Sequence, residues 1–96
     1  MIEYLYDAIR ATAGEEIAIA VVITDDLGEA ITEGCSFTVY SDECALYTVE
    51  GEYITDFSEW LFNIPAEITE GKKGRFWYSI GYHGVNLSFK QPLYLV

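Results

Sequence analysis

Apolar and polar residues alternate with a period of two along most of the chain. Ile17, Ile19, Val21 and Ile23 take turns with Ala18, Ala20, Val22 and Thr24, which predicts a β-strand with one large-residue face and one small-residue face. Asp25-Asp26-Leu27-Gly28 ends that strand with turn chemistry. After Gly34, the run Cys35, Phe37, Val39 alternates with Ser36, Thr38, Tyr40, and Ser41-Asp42-Glu43 reverses the chain into a strand from Cys44 to Val49. Beyond the break at Glu50-Gly51-Glu52, Trp60, Phe62 and Ile64 form another alternating set, stopped by Pro65. Pro65 to Thr69 has room for one helical turn. Phe76, Tyr78, Ile80 and Tyr82 predict a strong strand, and His83-Gly84 a tight hairpin turn. Val85, Leu87 and Phe89 begin the return. Pro92 belongs at an edge or a bulge, because it has no N–H to give to a ladder.

About seven short strands, with turns every roughly 8–12 residues and no long helical period, predict one antiparallel sandwich. A small closed barrel is the competing all-β architecture. The inter-sheet core is expected on the larger face of each strand, from Ile19, Val21, Phe37, Val39, Phe62, Phe76, Tyr78 and Ile80.

Composition supports a folded chain: 51% of the 96 residues are hydrophobic and 16% are aromatic. The formal net charge of −11 repels phosphate backbones and anionic lipid surfaces, so neither nucleic acid nor a membrane is an expected partner. The longest apolar run, Ile17 to Ile23, has seven residues against the roughly 20 that span a bilayer. The start Met1-Ile2-Glu3-Tyr4 lacks the basic and apolar regions of a secretion signal. Cys35 and Cys44 lie in apolar runs, where a thiol behaves as a small hydrophobe. In a hairpin of 35–40 with 44–49 they stand several rungs apart, beyond disulfide reach, so both are expected to be free.

Candidate chemistry is sparse. His83, the single imidazole, falls in a turn with no nucleophile pattern beside it and reads as a solvent-exposed turn residue. No Gly-x-Ser-x-Gly, P-loop or dinucleotide fingerprint occurs. Asp25, Asp26 and Glu29 carry oxygens but lack calcium-loop spacing, so no metal and no cofactor are expected. Trp77 is out of phase with Phe76, Tyr78 and Ile80. It is expected at the surface, as an interface anchor or sugar platform, or beneath the segment Ile2-Tyr4-Tyr6.

The order of residues from about Arg10 to Val96 resembles the small immunoglobulin-like β-sandwich modules of tailed-bacteriophage virion proteins, similar to the N-terminal domain of phage baseplate upper proteins. Thr12-Ala13-Gly14-Glu15 looks like the turn leading into that family's first alternating strand, and Thr24-Asp25-Asp26-Leu27-Gly28-Glu29 like its first hairpin turn. The stretch from Ile31 to Val39 is similar to its hydrophobic-Thr-x-Gly step. The stretch from Trp60 to Thr69 resembles its strand closed by Pro-Ala-Glu, and Gly74 to Ile80 its penultimate strand. The resemblance implies one immunoglobulin-like domain over residues 1–96 without catalytic residues: a structural part of a phage or prophage tail or baseplate, assembled in the bacterial cytoplasm, whose partners are other virion proteins or copies of itself. The alternative is a carbohydrate- or ligand-binding sandwich of a secreted or cell-surface protein, with Trp77, Tyr82 and Tyr94 as its platform.

Charge separates along the chain. All 16 acids lie in residues 1–70 with Arg10 as their one base, whereas residues 71–96 hold Lys72, Lys73, Arg75 and Lys90 and no acid. Lys72, Lys73, Arg75, Trp77 and Lys90 therefore form the candidate protein interface.

Overall fold

Two sheets of unequal width face each other across an aromatic core. A computed structural model describes residues 2–5, 8–42, 44–86 and 90–96. The chain runs through β1 (Ile2–Leu5), β2 (Ala8–Ala11), β3 (Ile17–Val21), β4 (Cys35–Ser41), β5 (Cys44–Glu50) and β6 (Glu52–Ile54). A 3-10 turn (Thr55–Phe57) leads to β7 (Glu59–Ile64), then come the helical turn α1 (Ala66–Thr69), β8 (Gly74–Tyr82), β9 (Val85–Asn86) and β10 (Gln91–Leu95). Among the described residues the wide sheet has the order β1-β2-β10-β8-β4-β5 with β9 paired on β8, and the narrow one β3-β7-β6. The chain is thus all-β in two sheets, and the described ladders close no barrel.

Among the described residues ten strands form where about seven were expected, for two local reasons. Residues 2–11 fold into an antiparallel pair, β1 with β2. Gly51 divides what would be one strand: its N–H donates to the Cys35 carbonyl at 3.0 Å, and the chain then crosses to pair with β7. A Cβ on Gly51 would strike the rings of Phe62 and Trp60, so only glycine fits this crossing.

Alternation decides the core. Cys35, Phe37 and Val39 on β4 and Trp60, Phe62 and Ile64 on β7 are all buried. The Phe37 ring stacks on Tyr78 at 5.1 Å between centroids and tilts against Phe62 at 5.5 Å. Of the expected core, Ile19, Phe37, Val39, Phe62 and Tyr78 are buried, while Val21, Phe76 and Ile80 are partly buried against it. Ile9, Ala11, Leu93 and Leu95 join them, because β2 and β10 lie side by side in the wide sheet.

That pair is parallel, with Leu93 opposite Ile9 and Leu95 opposite Ala11. Pro92 precedes the paired stretch and faces β8 alone, so its missing N–H removes no rung on the β2 side. Side-chain bonds close the remaining gaps. The Tyr4 hydroxyl accepts from the Ala20 N–H at 3.1 Å, tying β1 to the edge strand β3 of the other sheet. The Trp60 indole donates to the Ile31 carbonyl at 2.6 Å. Buried Thr69 accepts from the Gly14 N–H at 3.0 Å, fixing α1 against the turn before β3.

His83 (φ 48°) and Gly84 (φ 82°) supply the two left-handed positions of the β8–β9 hairpin turn. His83 is exposed, but its ring lies on Gly34, where a Cβ would overlap it, and against Tyr82 at 4.3 Å. Leu87 and Phe89, expected in the return strand, Glu43 in the β4–β5 turn, and Tyr6 lie outside the described residues. Cys35 and Cys44 are both free. Cys44 pairs with Ser41 on the wide sheet's outer strand and is exposed, which corrects its reading as a hydrophobe: it stands at the hairpin end of an edge strand whose first three residues are all exposed.

Candidate interaction face

Strand alternation sends Arg75, Trp77, Ser79 and Gly81 of β8 to the side of the wide sheet away from the core. Register adds their neighbours. Tyr40 lies opposite Trp77 on β4 and Thr38 opposite Ser79, while on β10 Pro92 lies opposite Trp77 and Tyr94 opposite Arg75. No carboxylate occurs in this set; Glu50 of β5, opposite Ser36, lies on the same outer side at the sheet's edge.

Two cations sit on two rings. The Arg75 guanidinium carbon lies 4.3 Å from the Trp77 ring centroid, and the Lys90 ammonium lies 4.3 Å from that of Tyr40. Each ring quadrupole attracts its cation with about 0.5–1 kcal/mol at an exposed site. The Tyr40 hydroxyl and the Ser79 hydroxyl are 3.0 Å apart, and Tyr40 laid over Ser79 accounts for a serine that faces outward yet is 1% exposed. The plate is therefore ordered before any partner arrives: its charged ends are held by rings, and its ring is held by a hydroxyl.

The structure brings together three of the five expected interface residues, Arg75, Trp77 and Lys90. The other two precede the strand. Lys72 and Lys73 lie in the turn after α1, where the Lys72 N–H donates to the Thr69 carbonyl at 2.9 Å, before β8 begins. Tyr40 was missed because a residue at the end of an alternating strand reads as hairpin lining; its register opposite Trp77 is a long-range fact.

Trp77 is partly buried, and β1 does not cover it, since β2 and β10 stand between β1 and β8. The platform expected for sugar is also divided. Tyr82 shares the phase of buried Tyr78 and packs against the core, whereas Trp77 and Tyr94 lie on the outer side. One face of the Trp77 ring is already taken by Arg75.

Among the described residues no three His, Cys, Asp or Glu side chains converge as a metal site would require, and no helix is long and apolar enough to cross a membrane. Burial raises the pKa of the Cys35 thiol above its ordinary value of 9.0. A shallow, open pocket of about 570 Å³ lies at the end of the sandwich, between residues 22–26, Ile31 and Tyr82. In comparisons with models of known protein families, with curated proteins and with solved structures, nothing matches this chain.

Proposed function

We propose that this chain is a non-enzymatic immunoglobulin-like module of a phage or prophage virion, in a tail or baseplate, acting by packing its outer sheet face against another protein. Strand order supports the immunoglobulin-like reading. In immunoglobulin lettering, β3, β7 and β6 take the places of B, E and D, and β4, β8 and β10 those of C, F and G, with β5 beside C. The virion reading rests on the sequence resemblance.

One observation carries the functional part: a chain of net charge −11 keeps an acid-free plate of Arg75, Trp77, Tyr40 and Lys90 on a rigid sheet. Aromatic and arginine side chains are the residue types that anchor protein interfaces. Their preordering lowers the entropy lost on association.

The test uses particles. Virions induced from the strain that carries the gene, banded on a density gradient and digested for mass spectrometry, should contain peptides of this chain. A strain carrying Trp77→Ala with Arg75→Gln should make the protein at normal level but leave it out of the particles. Gradient-pure virions without the wild-type chain would overturn the virion reading, and clear, Trp77-dependent hits on a glycan array would replace it with carbohydrate binding.

A further inference from the structure

The end of the sandwich opposite α1 has a different chemistry from the outer face. Register brings three turns there. Val21 of β3 pairs with Trp60 near the start of β7, Ile54 of β6 pairs with Glu59, and Cys35 of β4 pairs with Tyr82 at the end of β8. The loop 22–34, the turn 55–58 and the turn 83–84 therefore share one end. The four most exposed large apolar side chains of the described residues lie in or beside these three segments: Leu27 at 86%, Phe57 at 72%, Val85 at 68% and Val22 at 60%. Single exposed apolar residues are ordinary, but four gathered in or beside three segments at one end of the sandwich call for a function. The same segments carry the acids Asp25, Asp26, Glu29, Glu33 and Asp56 and contain no Lys or Arg.

We propose that this loop end docks on the outer face of a second copy of the chain, joining copies head to tail. The inference rests on the reading of the outer face as a docking surface and adds its occupant. Complementarity selects that occupant: acid-bearing, base-free segments with exposed apolar side chains meet a plate of rings carrying Arg75 and Lys90. The two surfaces differ, so the contact is heterologous and repeats into an open chain or a ring of copies.

Net charge sets the conditions. Two molecules of −11 repel at long range, and at about 0.01 M salt the screening length of about 30 Å matches the 39 × 27 × 22 Å dimensions of the molecule. At about 0.15 M it falls to about 8 Å, so the whole-molecule repulsion fades while pairs in contact still attract. At about 1 M those pairs are screened as well. Self-association is strongest at intermediate salt.

Sedimentation velocity from micromolar to millimolar protein, at those three salt levels, reads this directly. The wild-type chain should gain mass with concentration at intermediate salt and be monomeric at the lowest. A loop variant, Asp26→Asn with Leu27→Ser, and a face variant, Arg75→Gln with Lys90→Gln, should each lose association by about tenfold or more. Mixed, the two should form a one-to-one dimer and nothing larger, because one intact loop end meets one intact face. That rescue also shows that both variants fold. A wild-type monomer under every condition overturns the proposal, as does a face variant that dimerises like the wild type, or a mixture that stays monomeric. If the wild type is monomeric while the outer-face variant is still lost from particles, the outer face serves a different virion protein and only the contact between copies falls.

Discussion

The two faces of the wide sheet put aromatic rings to opposite uses. On the inner face rings lie on rings: Phe37 stacks on Tyr78, and Phe62 closes the group from the other sheet. On the outer face rings lie under cations, Trp77 under Arg75 and Tyr40 under Lys90. The same two strands, β4 and β8, supply both. Alternate side chains point to opposite faces, so one residue of register decides whether a ring stabilises the fold or presents a charge. The inner rings exclude water, and their contribution scales with buried area. The outer rings hold two long cationic side chains in place, and their contribution to stability is small.

The comparison breaks most sharply at Phe37. Phe37→Ala should cost about 3–5 kcal/mol, since the ring is fully buried and both sheets would have to collapse to fill the void. Chemical denaturation that left the midpoint unmoved would contradict this account of the core. Trp60→Phe retains most of the ring but removes the donor to the Ile31 carbonyl, and should cost about 1–3 kcal/mol. A smaller loss in thermal melts would mean that the loop 22–34 is held mainly by its other contacts.

Arg75→Gln with Lys90→Gln should lower stability by no more than about 1 kcal/mol for each cation removed. A large fall in melting temperature would show the outer plate to be structural instead of adhesive.

The smallest effect concerns the two thiols. Cys35 faces the core and has a raised pKa from burial, while Cys44 is exposed. A thiol reagent at mildly alkaline pH should label Cys44 at once and Cys35 only as the chain unfolds. The linkage has a definite sign. The folded state keeps the Cys35 proton where the unfolded state releases it, so stability is full below the ordinary thiol value of 9.0 and falls as pH rises above it. Cys35→Ser should flatten that alkaline slope in melts taken across pH, and an unchanged slope would place its origin elsewhere.

The sequence made the inner face legible because its signal is local. Phe37 with Val39, Trp60 with Ile64, and Tyr78 between Phe76 and Ile80 declare their phase within a few residues. β2 and β10 were harder to read. Ile9 and Ala11 give only two points of alternation, and Leu93 and Leu95 follow a proline. Their burial depends on each other, across more than eighty positions of chain. The outer plate was half legible: the run of bases after residue 70 pointed to Arg75 and Lys90, but Tyr40 reached the same surface only through register. Lys72 and Lys73 share that run but stand in the turn between α1 and β8, ahead of the paired strand. Charge along a chain reports how much is present, whereas pairing decides where it meets.

The parallel contact of β2 with β10 also has a mechanical meaning. Both strands run the same way, so tension between residue 8, at the start of one, and residue 95, at the end of the other, slides them past each other. Every hydrogen bond between them is then strained together, and the bonds from the Val96 N–H to the Ala11 carbonyl and from the Ala13 N–H to the Val96 carbonyl extend the resisting length. The β4–β5 hairpin behaves differently: pulling residue 36 from residue 50 opens its open end one rung at a time. Single-molecule stretching through residues 8 and 95 should require a clearly higher force than stretching through 36 and 50, and equal forces would refute this geometry. A module strung between neighbours would meet tension along its strongest direction.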